Sequence, residues 1–321
     1  MARCSVCSAP AIAYVPYQRR YYCPEHFAEF VERKVRRTVE KYKMLRRGDR
    51  VVAMVSGGKD SATLLSTLSG LREEIGFELY AFHIDLGIGD YSVESKRTAV
   101  ELSRRLGVPL VVFSLREELG YGVPEAAIRL RRPACSVCGI FKRYLYNAVG
   151  VELGAKVATG HNADDLAAYS LKNFLFQELE AIGKLGPVQE GVPGLAATRI
   201  RPLYTVYEKE SFLYTVARDL PFLHRECPHA RLDSLDFRLK DMLNRLEEER
   251  PSLKLGLLSR LAKRAGDYPR PSGSYTSCES CGLLSSGGKC SFCRLTEKLS
   301  GEPLGGWVRK RIRELFSWVT G

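Results

Sequence analysis

From residue 50 onward, short apolar runs alternate with longer stretches in which apolar positions recur every three or four residues. The runs fall at 51–55, 79–84, 110–113, 157–159 and 200–203, and their length and β-branched content predict buried strands. Helices are expected between and after them at 61–71, 92–106, 139–153, 164–177 and 208–219. This alternation predicts an α/β fold, an open parallel sheet with crossover helices. The stretch 183–198 is rich in Gly and Pro and predicts a loop beside the sheet. Upstream, apolar positions 27, 30, 31, 35, 39, 42 and 45 recur at helical spacing with Arg and Lys between them, the pattern of a basic connecting helix. Beyond Pro221 the charged segments 232–250 and 253–264 also predict helices, 268–274 a linker, and 307–319 a basic amphipathic tail.

Composition narrows the class. With 321 residues, 45% of them hydrophobic and 27% charged, the chain is too apolar to be disordered and long enough for roughly two domains. No run reaches the ~18 apolar residues that span a bilayer, and the first twenty residues lack the apolar core of a secretory signal. A cytoplasmic protein without a membrane partner is expected. The net charge of +12 favours a polyanionic partner such as nucleic acid. Asparagine occurs only at 147, 162, 173 and 244 and glutamine only at 18, 177 and 189, a depletion of labile amides that points to a heat-adapted source.

Ten cysteines in a reducing compartment suggest metal or redox chemistry before disulfides. Cys4 and Cys7 form one C-x2-C knuckle, and Cys23 with His26 supplies two further ligands. Cys278 and Cys281, then Cys290 and Cys293, repeat the paired knuckle. Each quartet offers four N/S ligands to a tetrahedral zinc ion, with no position left open for substrate, so both are read as structural. Cys135, Cys138 and Cys227 remain. They can be a redox dithiol with a bystander, a persulfide relay, or a three-cysteine iron–sulfur site.

Directly after the first strand comes Ser56-Gly57-Gly58-Lys59-Asp60-Ser61, opening a helix. Glycines let backbone approach phosphate, successive amides form an anion nest, and the helix N-terminus adds partial positive charge. The spacing is neither a Walker A loop nor a dinucleotide fingerprint. S-G-G-x-D-S resembles the signature of the PP-loop ATP pyrophosphatases. Gly160-His161-Asn162-Ala163-Asp164-Asp165, the Cys135-x2-Cys138 pair, Cys227 followed by Pro228 and the terminal knuckles resemble the tRNA 2-thiolation branch of that family. The likeness runs over nearly the whole chain, with gaps at 232–270 and in the basic tail.

The resemblance implies a PP-loop fold of the adenine nucleotide alpha hydrolase type, divided into a zinc module at 1–27, a connecting helix at 28–49, a catalytic domain at 50–225, a helical extension at 226–270, a second zinc module at 271–300 and a tail helix at 301–321. It implies an ATP-dependent sulfurtransferase that adenylates the C2 oxygen of a tRNA uridine and exchanges it for sulfur. The T-loop ribothymidine at position 54 is preferred; wobble uridine 34, or a cluster-free persulfide scheme, is the alternative. Cofactors would be ATP, Mg2+, two Zn2+ and a [4Fe-4S] cluster on Cys135, Cys138 and Cys227. Ala53, Ser56, Gly57, Gly58, Lys59, Ser61, His83 and Gly160 would bind nucleotide. Asp60, Lys142 and Asp165 would act with the three cysteines in the chemistry, His161 being an unassigned neighbour. Sulfur would come from a ubiquitin-like carrier thiocarboxylate or from free sulfide, and a homodimer is left open. Arg19 and Arg20, the helix cations Arg33, Lys34, Arg36 and Arg37, the run Arg129, Arg131 and Arg132, and Arg309, Lys310, Arg311 and Arg313 in the tail are the expected tRNA track. Readings from other classes are a zinc-and-nucleic-acid binding protein without catalysis and an ammonia-using PP-loop amidotransferase; the intact loop speaks against the first and the central cysteines against the second.

Overall fold

The computed structural model describes residues 2–231, 233–269 and 275–320. The Leu232 start of the expected 232–250 helix and positions 270–274 of the expected linker lie outside the described residues. A short antiparallel hairpin, β1 (Ala13–Val15) and β2 (Arg20–Tyr22), precedes α1 (Pro24–Lys41). The sheet is then built from β3 (Arg50–Met54), α2 (Lys59–Ile75), β4 (Glu78–Asp85), α3 (Gly89–Leu106) and β5 (Leu110–Ser114). After α4 (Leu115–Leu119), α5 (Val123–Leu130) and α6 (Ala134–Glu152), the chain returns to the sheet with β6 (Lys156–Ala158), α7 (Ala163–Leu175), α8 (Leu179–Gly183), β7 (Val188–Gln189) and β8 (Arg199–Ile200).

Strand order is β5-β4-β3-β6-β8-β7. Five strands run parallel, and β7 pairs antiparallel with β8, so the expected wholly parallel sheet carries one reversed edge strand inside the 183–198 loop. The chain leaves β3 in one direction to β4 and returns on its other side to β6. That reversal opens a crevice at the strand carboxyl ends, where open α/β sheets take their ligands.

Side-chain alternation divides the core into two faces. Val52, Met54, Phe82, Ile84 and Val157 point to one side, and Val51, Ala53, Val55, Ala81 and Ala158 to the other. Helices α1, α2 and α3 cover the second face, with α9 (Glu208–Ala217) packed on α1 and α2. Helices α10 (Leu235–Glu249) and α11 (Leu253–Lys263) pack on α7.

The first face is covered by α5, α6 and the C-terminal segment: β9 (Thr276–Ser277), β10 (Leu284–Ser285), α12 (Ser291–Ser300), α13 (Gly305–Leu315) and α14 (Ser317–Thr320). Here the tail expected to be basic and amphipathic buries its apolar face, but its arginines are not left free. Val308, Ile312 and Phe316 are fully buried, with Phe316 against Phe82 of the sheet at 6.1 Å between ring centroids. Arg309 and Arg313 both pair with Glu152, whose side chain is only 5% exposed, and Arg311 lies 2.8 Å from Glu118. A carboxylate that buried needs its cations, so three of the four tail cations assigned to a tRNA track are engaged within the fold.

Tyr144 of α6 stacks on Phe292 of α12 at 3.8 Å and 8° and donates to the Gly305 carbonyl at 2.7 Å. A Cβ at Gly305 would stand 2.5 Å from Cys293 Sγ and 2.7 Å from Cys281 Cβ. Gly305→Ala is therefore expected to destabilise the fold by about 1–3 kcal/mol through overpacking, read as a lower Tm with earlier loss of metal from the C-terminal quartet.

Candidate nucleotide and cysteine centre

The 56–61 turn joins β3 to α2 at the crevice. Gly57 has φ +85°, and a Cβ there would meet the Ser95 carbonyl oxygen at 2.8 Å, so both backbone conformation and space demand glycine. Gly58 caps α2 without a side chain to accept from the first-turn amides, which leaves these N–H groups for an anion. Ser61 Oγ donates to the Gly58 carbonyl at 2.8 Å and accepts from Ser56 Oγ at 3.3 Å, holding the turn. Gly160 closes over it, with space for a Cβ only 3.3 Å from the Asp60 carbonyl. The Leu223 amide donates to the Gly57 carbonyl at 2.8 Å, tying the turn to the segment that runs on to Cys227.

Two other nucleotide candidates differ in their placement. Ala53 is buried in the α1/α2 core and paired on both sides within the sheet, so its side chain does not face the turn. His83, only 1% exposed, has Nδ1 at 2.8 Å from the Val55 carbonyl, while its Nε2 has no partner among the described residues. Burial lowers its pKa, so it is neutral, with Nδ1–H donating and Nε2 left as a buried acceptor.

Carboxylates and lysines alternate along the floor. Lys59 Nζ lies 2.7 Å from Glu208 and 3.3 Å from Asp60; Lys240 Nζ lies 2.5 Å from Glu208 and 2.7 Å from Asp165. Asn162 donates to Asp60 at 3.1 Å and caps α7 through both Asp164 N and Asp165 N. The two aspartates part company here. Asp164 is buried, paired with Lys254 and accepting from Glu208 N at 2.6 Å, whereas Asp165 faces Lys240 and Asp60. Burial raises the Asp60 pKa; Lys59 opposes this and Asp165 adds to it. His161 is held by Thr159 Oγ1 at 2.9 Å and lowered to about 4 by burial and by Arg201, so it stands neutral. Glu208 and Lys240 were not among the sequence candidates; their only signal was a helix start for one and a charged helix for the other.

Cys135 lies in the first turn of α6 and Cys138 at the start of the second, behind the N-cap Pro133, with Lys142 and Tyr146 following at helical spacing on the Cys138 face. Cys135 is exposed, Cys138 and Cys227 half-buried. Cys135 Sγ donates to the His229 carbonyl at 3.1 Å, which brings the Cys227 segment to the head of the helix. Burial pushes the Cys138 thiol up and Lys142 draws it back; burial works against the Lys142 charge, but Cys138, Tyr146, Tyr91 and Cys227 around it keep the amine protonated.

The terminal quartets have a different geometry. In each, the four ligand atoms lie within 4.8 Å of one another, and the three central sulfurs do not form such a group. Cys7 and Cys23 sulfurs are 3.7 Å apart, Cys281 and Cys290 3.9 Å, and His26 Nδ1 lies 3.6 Å from Cys4 and 3.2 Å from Cys23. Tetrahedral zinc with Zn–S bonds of about 2.3 Å sets ligand sulfurs about 3.8 Å apart, so both quartets have the donors and spacing of such an ion. On the surface, Arg20, Arg33, Arg37 and Lys41 converge on an open cavity of about 570 Å³ walled by Tyr22 and Phe30. Lys34 behind it is neutralised by Glu210, Arg36 pairs with Glu74 and Arg129 donates to the Leu299 carbonyl. Of the expected basic track, Lys34, Arg36, Arg129, Arg309, Arg311 and Arg313 are thus engaged within the fold, while the N-terminal cations and the exposed Arg131 and Arg132 stay at the surface.

Residues 28–227 match the PP-loop domain model, and residues 3–28 match the N-terminal LIM domain of 2-thiouridine synthetase TtuA. The chain is 38% identical to tRNA-5-methyluridine(54) 2-sulfurtransferase of Pyrococcus horikoshii, over 91% of this chain and 93% of that one. It is likewise 38% identical to the enzyme of that name from Thermus thermophilus, over 91% and 90%. Among solved structures it resembles the U34-tRNA thiolase NcsA from Methanococcus maripaludis with its [4Fe-4S] cluster, with a TM-score of 0.76, 25% identity and coverage of 94% and 96%. No helix among the described residues is long and apolar enough to cross a membrane.

The lysine–carboxylate floor has a pH signature. Burial pushes the Glu208 carboxyl up, but Lys240 and Lys59 outweigh it and hold the pKa at about 2, below the ordinary 4.5. A carboxyl lowered on folding stabilises above its ordinary value and loses that contribution as pH falls through the folded one. Glu208→Gln should therefore cost stability at neutral pH, with the gap to wild type closing between about pH 4.5 and pH 2 in denaturant unfolding.

Proposed function

This chain belongs to the PP-loop family of tRNA 2-thiolation enzymes, and from that premise we propose that it is an ATP-dependent tRNA sulfurtransferase replacing the C2 oxygen of the T-loop ribothymidine at position 54 with sulfur. The observation that carries the chemistry is the meeting of an anion-binding turn and three thiols at one crevice, tied by the Leu223–Gly57 hydrogen bond. The match of residues 3–28 and the two 38% identities support position 54. The NcsA likeness favours uridine 34 as a second reading.

A uracil C2 oxygen is a poor leaving group until it becomes part of AMP. In the first half-reaction that oxygen attacks the α-phosphorus of ATP and pyrophosphate departs. The uncapped amides at the start of α2 receive its charge, and Lys59, exchanging Glu208 for phosphate, adds to them. Asp60 and Asp165 offer oxygen ligands for Mg2+, and His83 Nε2 is an acceptor for a nucleotide N–H or O–H. In the second half-reaction sulfur takes the C2 position and AMP leaves with the oxygen.

Cys135, Cys138 and Cys227 are the residues that would hold a [4Fe-4S] cluster. Their number, their spacing wider than that of the zinc quartets and the cation Lys142 beside them fit a polynuclear anionic centre. Bound by three thiolates, such a cluster offers one iron without a protein ligand, able to carry hydrosulfide. Lys142 balances the thiolate charge, and Cys135 keeps the centre open to the incoming base. Two Zn2+ would occupy the terminal quartets. A carrier thiocarboxylate or free sulfide would supply sulfur, and free thiols acting on tRNA suit the cytoplasm.

Lys59→Ala and Asp60→Ala should each lower tRNA-dependent AMP and pyrophosphate release by roughly 10²–10³ while tRNA affinity in filter binding stays at the wild-type level. Equal loss of both would make the turn a structural element.

Anaerobic reconstitution separates the two sulfur schemes. Replacing any one of Cys135, Cys138 or Cys227 by Ala should abolish both iron–sulfur absorbance and thiolation, with two zinc ions per chain retained by metal analysis. Activity of iron-free protein in air, with a disulfide accumulating between two of these thiols, would establish the persulfide scheme instead.

A further inference from the structure

Buried and half-buried cations in this fold are compensated almost everywhere. Lys34, Lys59, Lys156 and Lys240 each stand 2.7 Å from a carboxylate, and Lys254 is paired with Asp164. The pattern breaks where α6 meets β8. Among the described residues, the half-buried Arg199, the buried Arg201 and the exposed Arg143 beside them have no carboxylate within ion-pair distance, and the half-buried Lys142 has thiols and phenols instead. Arg201 is accounted for, because its guanidinium donates to the Gly186 and Lys184 carbonyls and pins the 183–198 loop. Arg143 and Arg199 donate to no described residue, and both line a cavity of about 250 Å³ between α6, β8 and the C-terminal cysteine module.

The two guanidinium groups act on each other: burial pushes Arg199 down, and Arg143 pushes it further. Holding like charges together in a half-buried wall costs free energy unless an anion lies between them. Glu190 also lines the cavity, but its carboxylate accepts from Thr198 Oγ1 at 3.4 Å and lies outside ion-pair distance of both arginines. The wall adjoins the thiols. The Arg143 guanidinium lies over Gly139, the residue after Cys138, with Nη1 3.0 Å from where a Cβ would sit. Tyr146, beside Arg199, continues the face of α6 that carries Cys138 and Lys142.

We propose that Arg143 and Arg199 clamp a backbone phosphate of the RNA strand, adjacent to the nucleotide presented to Cys135, Cys138 and Cys227. This rests on the tRNA thiolase reading above. Planar guanidinium forks match phosphate oxygens, and a strand delivering a base to the thiols brings its own phosphates within a nucleotide's length of them. The aromatic rings of the wall, Tyr144 and Phe292, are stacked on each other and buried, so they offer no free face to a base. The clamp therefore positions the strand without reading its sequence. The carboxylate tail of a sulfur-carrier protein is the rival occupant, and the experiment separates it.

The test measures tRNA binding against salt for wild type, Arg143→Gln, Arg199→Gln, the double variant and Arg199→Lys, with thiolation assayed on free sulfide and, separately, on a carrier thiocarboxylate. Zinc content and Tm check folding, and the exposed Arg143 carries the test if the Arg199 variants do not fold. The double variant should lower the log–log salt slope by about one, the share of a single phosphate, raise the KM for tRNA with either donor, and leave ATP affinity unchanged; Arg199→Lys should keep much of the slope. An unchanged slope in folded protein overturns the clamp. So does a defect confined to the carrier-dependent reaction, which would assign the arginines to a carboxylate tail. Wild-type protein that binds no tRNA would bring down the thiolase reading and the clamp together.

Discussion

The stack of Tyr144 on Phe292, with the Tyr144 hydroxyl on the Gly305 carbonyl, holds the helix on which the centre depends. Helix α6 has two duties: Phe141, Leu145, Ala148 and Val149 bury against the sheet, while Cys138, Lys142 and Tyr146 face the crevice. A helix seated on one side can still slide or roll. The aromatic stack fixes it against α12, whose N-cap Cys290 and first-turn Cys293 are two ligands of the C-terminal quartet, and the Glu152 pairing with Arg309 and Arg313 anchors its far end to α13. The C-terminal cysteine module is thus less an appended domain than a brace, sharing one continuous core with the sheet.

Charge follows the same economy of position. Where a lysine must be buried to reach the nucleotide turn, an acid from another element meets it, so Lys59, Glu208, Lys240 and Asp165 form a chain of alternating sign across α2, α9, α10 and α7. Such a chain keeps its members charged inside the protein and lets a phosphate replace a carboxylate at Lys59 without leaving a bare ion behind. Around the cysteines the partners of Lys142 are thiols and phenols, groups that an oxidation or a metal can change.

Much of the fold was legible because local signals agreed with the global one: apolar runs of strand length, glycines at the β3–α2 turn, and helical spacing between them. The errors have local causes. The strand expected at 200–203 stops at Ile200, where Arg201 turns to grip loop carbonyls and Pro202 has no amide to donate. Helix α6 begins five residues earlier than expected, at Ala134 behind the N-cap Pro133, so Cys135 and Cys138 fall within its first five residues. The cations of the amphipathic tail were assigned to tRNA because Arg309, Arg311 and Arg313 find their acids at residues 118 and 152, pairings that no window of sequence contains. Glu208 and Lys240 escaped notice for the same reason: each acquires its meaning from a partner on a different helix. The distinction between Asp164 and Asp165 needed Lys254, which only the packing of α11 on α7 supplies.

The hydrogen bond from the Leu223 amide to the Gly57 carbonyl joins two parts of the chain far apart in sequence. The Gly57 peptide has both ends in use: its carbonyl fastens the segment that leads to Cys227, and its neighbouring amides open toward the anion site. A single peptide plane thereby serves as a hinge pin between the phosphate-receiving turn and the third thiol. A tilt of that plane would act four residues upstream of Cys227 without passing through the sheet. The two half-reactions of the enzyme are thus spaced in time but share one mechanical joint.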